Sequence, residues 1–224
     1  GVQTCALPIL WLFLVELSRI TSPQWAAQCI NVYADDCQMG DVFQSTTELT
    51  SLLDNINKTL MLLRQFDLII NPNKCTAMLA IGGTSYRQVR ASITAWKDGQ
   101  EWLRFGTTDQ PIWMPLNKTA KYLGTVISYT NFEDATVKHR LQLSKIAFGR
   151  LKRWLTGSRG LKQWQRLQLF TTCVYPILTY GIFATGLTTM GITLIQKHMY
   201  SFLRQVLCNH SYITGQTHQT ALTN

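Results

Sequence analysis

Apolar residues recur with a helical period along two long stretches of the chain. Leu49, Leu52, Leu53, Ile56, Leu60 and Leu63 follow one another at intervals of three and four, which predicts an amphipathic helix over residues 48–66 with one face on a sheet. Ser45, with Glu48 three residues on, has the pattern of a capping box at its start. The period returns after Glu133. Val137, Leu141, Phe148, Leu151 and Leu155 fall on one side, and Lys138, Arg140, Lys145, Lys152 and Arg153 largely on the other. Gly157 and Gly160 break this helix. Leu161, Trp164, Leu167, Phe170 and Val174 begin a second, kinked or ended at Pro176, and Ile195, Met199, Phe202, Leu203 and Val206 mark a third over residues 193–207. Near the start, the apolar run of residues 9–20 predicts a buried helix ending at Thr21-Ser22-Pro23.

Shorter apolar runs predict strands. Ile30 and Val32 lead into Tyr33-Ala34-Asp35-Asp36, and Gly40 with its polar neighbours fits a hairpin whose second arm is residues 37–42. A turn at Asn71-Pro72-Asn73-Lys74 precedes a strand over residues 76–81. Residues 112–116 and 122–128 form a second pair of candidate strands. Alternation at residues 101–105 suggests a surface hairpin, and residues 84–110 carry no assignable chemistry. The order strand, hairpin, helix, strand predicts an α+β fold, an antiparallel sheet with packed helices, followed by a small all-helical domain. The boundary falls near Phe132, giving regions 10–132 and 133–208. Residues 209–224 lack an apolar period and read as a flexible tail. Residues 1–9 match the translation of a sequencing-library adapter and are set aside as non-native.

Charge sharpens this division. The 224 residues carry a net charge of +9, with 46% hydrophobic content, enough for a core. Residues 1–134 hold 10 Lys and Arg against 12 Asp and Glu, whereas residues 135–224 hold 11 Lys and Arg and no acid. A cationic half of this length points to a polyanion, most simply nucleic acid, because each cation set against a phosphate releases counterions. The plainer alternative is a solvated basic surface. The six cysteines show no CxxC spacing, so reduced thiols in an intracellular protein are expected, with no disulfide-linked partner. The first apolar run stops at Glu16, too short to span a bilayer, and has no basic segment before it, so neither membrane insertion nor secretion is expected. The four histidines have no mutual metal-ligand spacing.

The candidate chemistry sits at Asp35-Asp36. Two adjacent carboxylates repel, and a divalent cation between them removes the cost. Consecutive strand residues point to opposite faces, so the pair converges on one ion only within a turn. An exposed Asp-Asp turn without chemistry is the alternative.

Taken in order, Tyr33-Ala34-Asp35-Asp36, Asn71-Pro72-Asn73-Lys74-Cys75, Lys121-Tyr122-Leu123-Gly124 and Tyr175-Pro176-Ile177-Leu178-Thr179-Tyr180-Gly181 resemble the reverse transcriptases of non-LTR (LINE-type) retrotransposons over residues 10–210. The resemblance implies an RNA-directed DNA polymerase, with a partial palm over residues 10–132 and a basic thumb-like region over 133–208, working in the cytoplasm and nucleus. It implies that Asp35 and Asp36 help bind two Mg²⁺ ions and that Lys74 lies near the incoming triphosphate as a proton donor to pyrophosphate. Tyr33, Ala34, Lys121, Leu123 and Gly124 then contact nucleotide or primer, Leu123 and Gly124 lying on a strand that grips the primer end. Lys138, Arg140, Lys145, Lys152 and Arg153 would hold the backbone of an RNA template and DNA primer. Each assignment agrees with simple chemistry: nucleotidyl transfer needs positioning and neutralised charge, and a glycine leaves room for a sugar-phosphate backbone. Lys74 as a solvated turn residue and Gly124 as a packing residue remain alternatives. Trp154 and Trp164, at helical spacing, are expected in the core.

The family's first catalytic carboxylate stands on a strand upstream of the Asp-Asp box. Between Ile9 and Val32 the only acid is Glu16, on a helix. The chain is therefore expected to correspond to the later part of a polymerase domain and to be inactive alone; a basic nucleic-acid-binding module without catalysis is the alternative.

Overall fold

The computed structural model describes residues 3–33, 36–71, 74–106, 111–156 and 160–208, with backbone alone for residues 3–10. The fold is mixed helix and antiparallel sheet. It divides into two compact units, Gly1–Asn117 and Lys118–Asn224. The units part fifteen residues before the Phe132 boundary expected from the sequence, because a hairpin packs with the helices that follow it.

The first unit begins with α1 (Gln3–Ile20) and α2 (Pro23–Cys29). Ser22 caps α2, its hydroxyl accepting from the Trp25 amide at 3.0 Å, while Pro23 takes the first helical position, where no amide is needed. Of the α1 side chains from residue 11 on, Phe13 and Leu17 face the core, whereas Trp11 and Leu12 are exposed. Strands β1 (Ile30–Tyr33) and β2 (Asp36–Met39) pair antiparallel, Ile30 opposite Met39 and Tyr33 opposite Asp36.

Helix α3 (Thr46–Gln65) starts as its sequence predicts. The Ser45 hydroxyl accepts from the Glu48 amide at 3.2 Å, but the Glu48 carboxylate accepts from the Gln44 amide at 2.6 Å, one residue before the expected partner. At its end Asp67 adopts a left-handed φ of 55°, which aspartate tolerates better than most residues. The strand expected over residues 76–81 is absent. Ala77 forms a single parallel bridge with Leu116: its amide donates to the Pro115 carbonyl and its carbonyl accepts from the Asn117 amide, both at 2.9 Å.

Beyond α4 (Tyr86–Ile93), β3 (Thr94–Lys97), β4 (Gln100–Gly106) and β5 (Pro111–Pro115) form a three-stranded meander. Asp98 and Gly99, both at positive φ, make the tight turn between β3 and β4, as Asp-Gly pairs do in hairpins. The Arg90 guanidinium donates to Glu101 at 2.7 and 2.5 Å, tying α4 to the meander and holding the Glu101 carboxyl below its usual range. Leu103, Phe105, Ile112 and Met114 from this sheet join Ile56, Leu60, Leu62, Phe13 and Leu17 in one core. The single antiparallel sheet expected here is thus replaced by separate small sheets, the β1–β2 hairpin being one of them.

The second unit opens with the hairpin of β6 (Thr119–Tyr122) and β7 (Thr125–Ser128). Helix α5 (Phe132–Leu155) follows, and its buried Thr136 accepts from the Val126 amide at 3.0 Å, fixing the hairpin to the helix. Next come α6 (Gln163–Cys173), α7 (Tyr175–Thr179), α8 (Ile182–Thr185) and α9 (Thr189–Val206). The break between α6 and α7 lies at Val174, just before Pro176, where proline cannot continue the helical ladder. Among the described residues, Gln163–Thr185 is long and apolar enough to cross a membrane by length and composition, although here it runs as three helices. Phe148, Phe170 and Phe202 centre the core, the Phe148 and Phe202 rings stacked with centroids 4.6 Å apart. The Thr188 hydroxyl caps α9, accepting from the Gly191 amide at 2.9 Å, and itself donates to Asp134 of α5.

Candidate nucleic-acid interface

In the first unit Tyr33 and Asp36 face each other at the end of the β1–β2 hairpin. With Tyr33 opposite Asp36, the loop is the pair Ala34-Asp35, which lies outside the described residues. Tyr33 and Asp36 are both exposed at the tip, so the Asp36 carboxylate meets solvent. The base of the hairpin is pinned: the Gly40 amide donates to the Cys29 carbonyl at 2.9 Å, and the buried Cys29 thiol donates to Asp41 at 3.3 Å. Burial, then the Asp41 carboxylate, push that thiol up to about 11, so it stays protonated at neutral pH.

Among the described residues no three His, Cys, Asp or Glu side chains form a group able to hold a metal ion. Lys74 is exposed in a turn where the Asn71 carbonyl accepts from the Lys74 amide at 3.1 Å and the Cys75 amide at 3.2 Å; Pro72 and Asn73 lie outside the described residues.

In the second unit Lys121 and Tyr122 end β6, and Leu123-Gly124 make a hairpin turn where the sequence predicted a continuing strand. Leu123 and Gly124 are its two central residues, with φ of 46° and 79°, the left-handed pair that a primed hairpin turn requires. The space beside Gly124 is also taken. A Cβ built there would lie 1.9 Å from Nη2 of Arg140 and 2.8 Å from the Tyr180 ring. The room that a glycine leaves for a sugar-phosphate backbone is filled by the chain's own guanidinium.

Arg140 is accordingly not on the solvent face where the helical pattern put it. It is buried beneath the turn, its guanidinium 4.6 Å from the Tyr180 ring centroid and its Nε without an acceptor among the described residues. Arg140 falls on the ridge Thr136–Arg140–Ser144 of α5, and all three are buried, as residues four apart on one helical row should be. Burial lowers the Arg140 pKa, and burial together with Lys121 and Arg140 lowers that of His139. Arg166 and Arg204 are buried as well, so three of the 11 basic residues after residue 134 are withdrawn from the surface.

Lys138, Lys145, Lys152 and Arg153 are exposed on α5, with Arg150 beside them. Seven residues make close to two helical turns, so Lys138, Lys145 and Lys152 stand in line, about 10 Å between neighbours. None of these cations forms an ion pair among the described residues. Lys145 also acts on His198, whose pKa falls through burial first and then through Lys145 and Lys197.

Trp154 and Trp164 are 50% and 61% exposed, which overturns their expected place in the core. Trp154 precedes the core residue Leu155 in the last turn of α5 and so points off the buried row, with Arg153 5.7 Å from its ring. Comparison with protein-family models, curated proteins and solved structures finds no match to this chain.

Proposed function

We propose that the chain is the later part of the polymerase domain of a non-LTR (LINE-type) reverse transcriptase, an RNA-directed DNA polymerase that performs two-metal nucleotidyl transfer in retrotransposition. Residues 10–132 serve as part of the palm and residues 133–208 as the thumb-like region. The observation that carries this function is the pairing of Tyr33 with Asp36 at the end of an antiparallel hairpin, Asp36 in solvent, in a chain that also presents a line of exposed lysines with no ion pair among the described residues. In the complete polymerase Asp35 and Asp36 would hold Mg²⁺, which neutralises the charge developing on the transferred phosphate. Lys74, Lys121 and the exposed cations of α5 would hold triphosphate, primer and template through their phosphates.

Replacing Asp35 and Asp36 together by Asn in the complete polymerase domain tests the assignment. Primer extension on an RNA template is expected to be lost while template–primer affinity is kept; extension that survives the double replacement contradicts it. The 224-residue chain alone is expected to give no extension. A second function, a basic nucleic-acid-binding module without catalysis, is favoured by the exposed cations of α5, which can bind phosphates without any carboxylate. Under it the chain shows salt-dependent affinity, and the Asn replacements change nothing.

A further inference from the structure

Helix α5 carries a glycine that its own structure does not explain. Gly149 lies in the helix interior, exposed, and a Cβ built on it would meet nothing within 4 Å. Its φ is not positive, so no turn asks for it. By contrast Gly191 of α9 sits against Val137, where a Cβ would come within 3.3 Å of the valine methyl, so packing accounts for that one. An exposed glycine inside a helix costs stability relative to alanine, because the unfolded chain gains freedom and no side chain covers the backbone.

Its surroundings are cationic. On a helical surface the neighbours of residue 149 are those three and four positions away, here Lys145, Ile146, Lys152 and Arg153. Lys145, Lys152 and Arg153 are exposed, and Ile146 is 47% exposed. Gly149 is therefore a flat spot encircled by three cations that make no ion pair among the described residues, in a stretch of sequence with no acid after Asp134.

We propose that Gly149 is the point of closest approach between α5 and the phosphodiester backbone of a nucleic acid, which lies against the bare helix while Lys145, Lys152 and Arg153 contact its phosphates. This rests on the nucleic-acid function proposed above and adds where the strand lies. Charge complementarity selects a polyanion, and the missing side chain selects one that comes within contact distance of the helix backbone. Glycine has the same use wherever a sugar-phosphate chain must approach closely.

The test uses the full chain and a labelled RNA–DNA hybrid, with Gly149→Ala and Gly149→Lys read for both melting temperature and affinity. Gly149→Ala is expected to raise the melting temperature and yet weaken binding about tenfold, the cost of a methyl group forced into a filled contact. Gly149→Lys is expected to weaken binding too, although it adds a positive charge. A hybrid bound as tightly by Gly149→Ala as by the parent chain, or more tightly by Gly149→Lys with a steeper salt dependence, overturns the proposal. If in that case Lys145→Ala and Lys152→Ala still weaken binding, the cationic face stands and only the approach point is wrong. If those two variants also leave binding unchanged, the nucleic-acid function falls with it.

Discussion

The hairpin turn at Leu123-Gly124 and the solvent face of α5 each set a glycine among cations, yet the two places differ in what fills the space beside it. At the turn the Arg140 guanidinium and the Tyr180 ring stand where a side chain would go; at Gly149 nothing stands within 4 Å. One glycine is therefore required by the chain's own packing and the other is left open to something outside it. The difference follows from burial. A cation withdrawn from water must be covered, here by an aromatic face, whereas the exposed lysines of α5 meet solvent and form no ion pair among the described residues.

The largest effect that would break this comparison belongs to Gly124→Ala. The substitution forces a side chain onto a φ of 79° and into the Arg140 guanidinium, and is expected to destabilise the chain by about 3 kcal/mol in chemical denaturation. A loss no greater than for a surface alanine would mean that the turn is loose. Arg140→Ala should relieve part of that clash. The double variant with Gly124→Ala is then expected to be less destabilised than the sum of the single ones by about 1 kcal/mol, a coupling that a double-mutant cycle measures.

Smaller effects sharpen the other side. Lys145→Ala and Lys152→Ala should each leave stability within about 0.5 kcal/mol of the parent chain, since both are exposed and neither forms an ion pair among the described residues. The smallest effect concerns pH. His139 and His198 both have folded pKa values lowered from 6.5, so the unfolded chain binds protons that the folded chain does not. Their contribution is present above pH 6.5 and is lost as the pH falls through the folded values, so the melting temperature should drop on acidification below pH 6.5. His139→Gln should flatten that drop.

Much of the helical framework was legible because apolar period and caps agree there. The Ser45 cap, the row of leucines in α3 and the Val137–Leu155 row of α5 each state their element twice. Short elements were less legible. The strand expected at residues 76–81 needs a partner along its length, and the meander spends its strands on one another, leaving Ala77 a single bridge. Leu123 hid a turn behind an apolar side chain, since a positive φ at leucine has no sequence signature, although the Gly124 after it was a cue. The Asp98-Gly99 pair announced the β3–β4 turn more plainly than the alternation around it. Arg140 was placed by its charge when its row, shared with Thr136 and Ser144, placed it better. Trp154 and Trp164 are expected in the core from helical spacing, yet Trp154 stands beside the buried Leu155 and Trp164 at the exposed start of α6. Of the candidate site, Asp36, Lys74 and the exposed cations of α5 were legible as residues in solvent, and the filling of the space beside Gly124 was not, because it depends on a contact between α5 and a turn distant in sequence.

The claim on which the rest depends is that the line of lysines on α5 holds nucleic-acid phosphates. Affinity of the full chain for an RNA–DNA template–primer, measured across a range of salt concentrations, tests it most directly. The account predicts that affinity falls steeply as salt rises and that each of Lys138→Ala, Lys145→Ala and Lys152→Ala lowers the logarithmic slope by about one. An affinity that ignores salt, or a slope that the three replacements leave untouched, would contradict it.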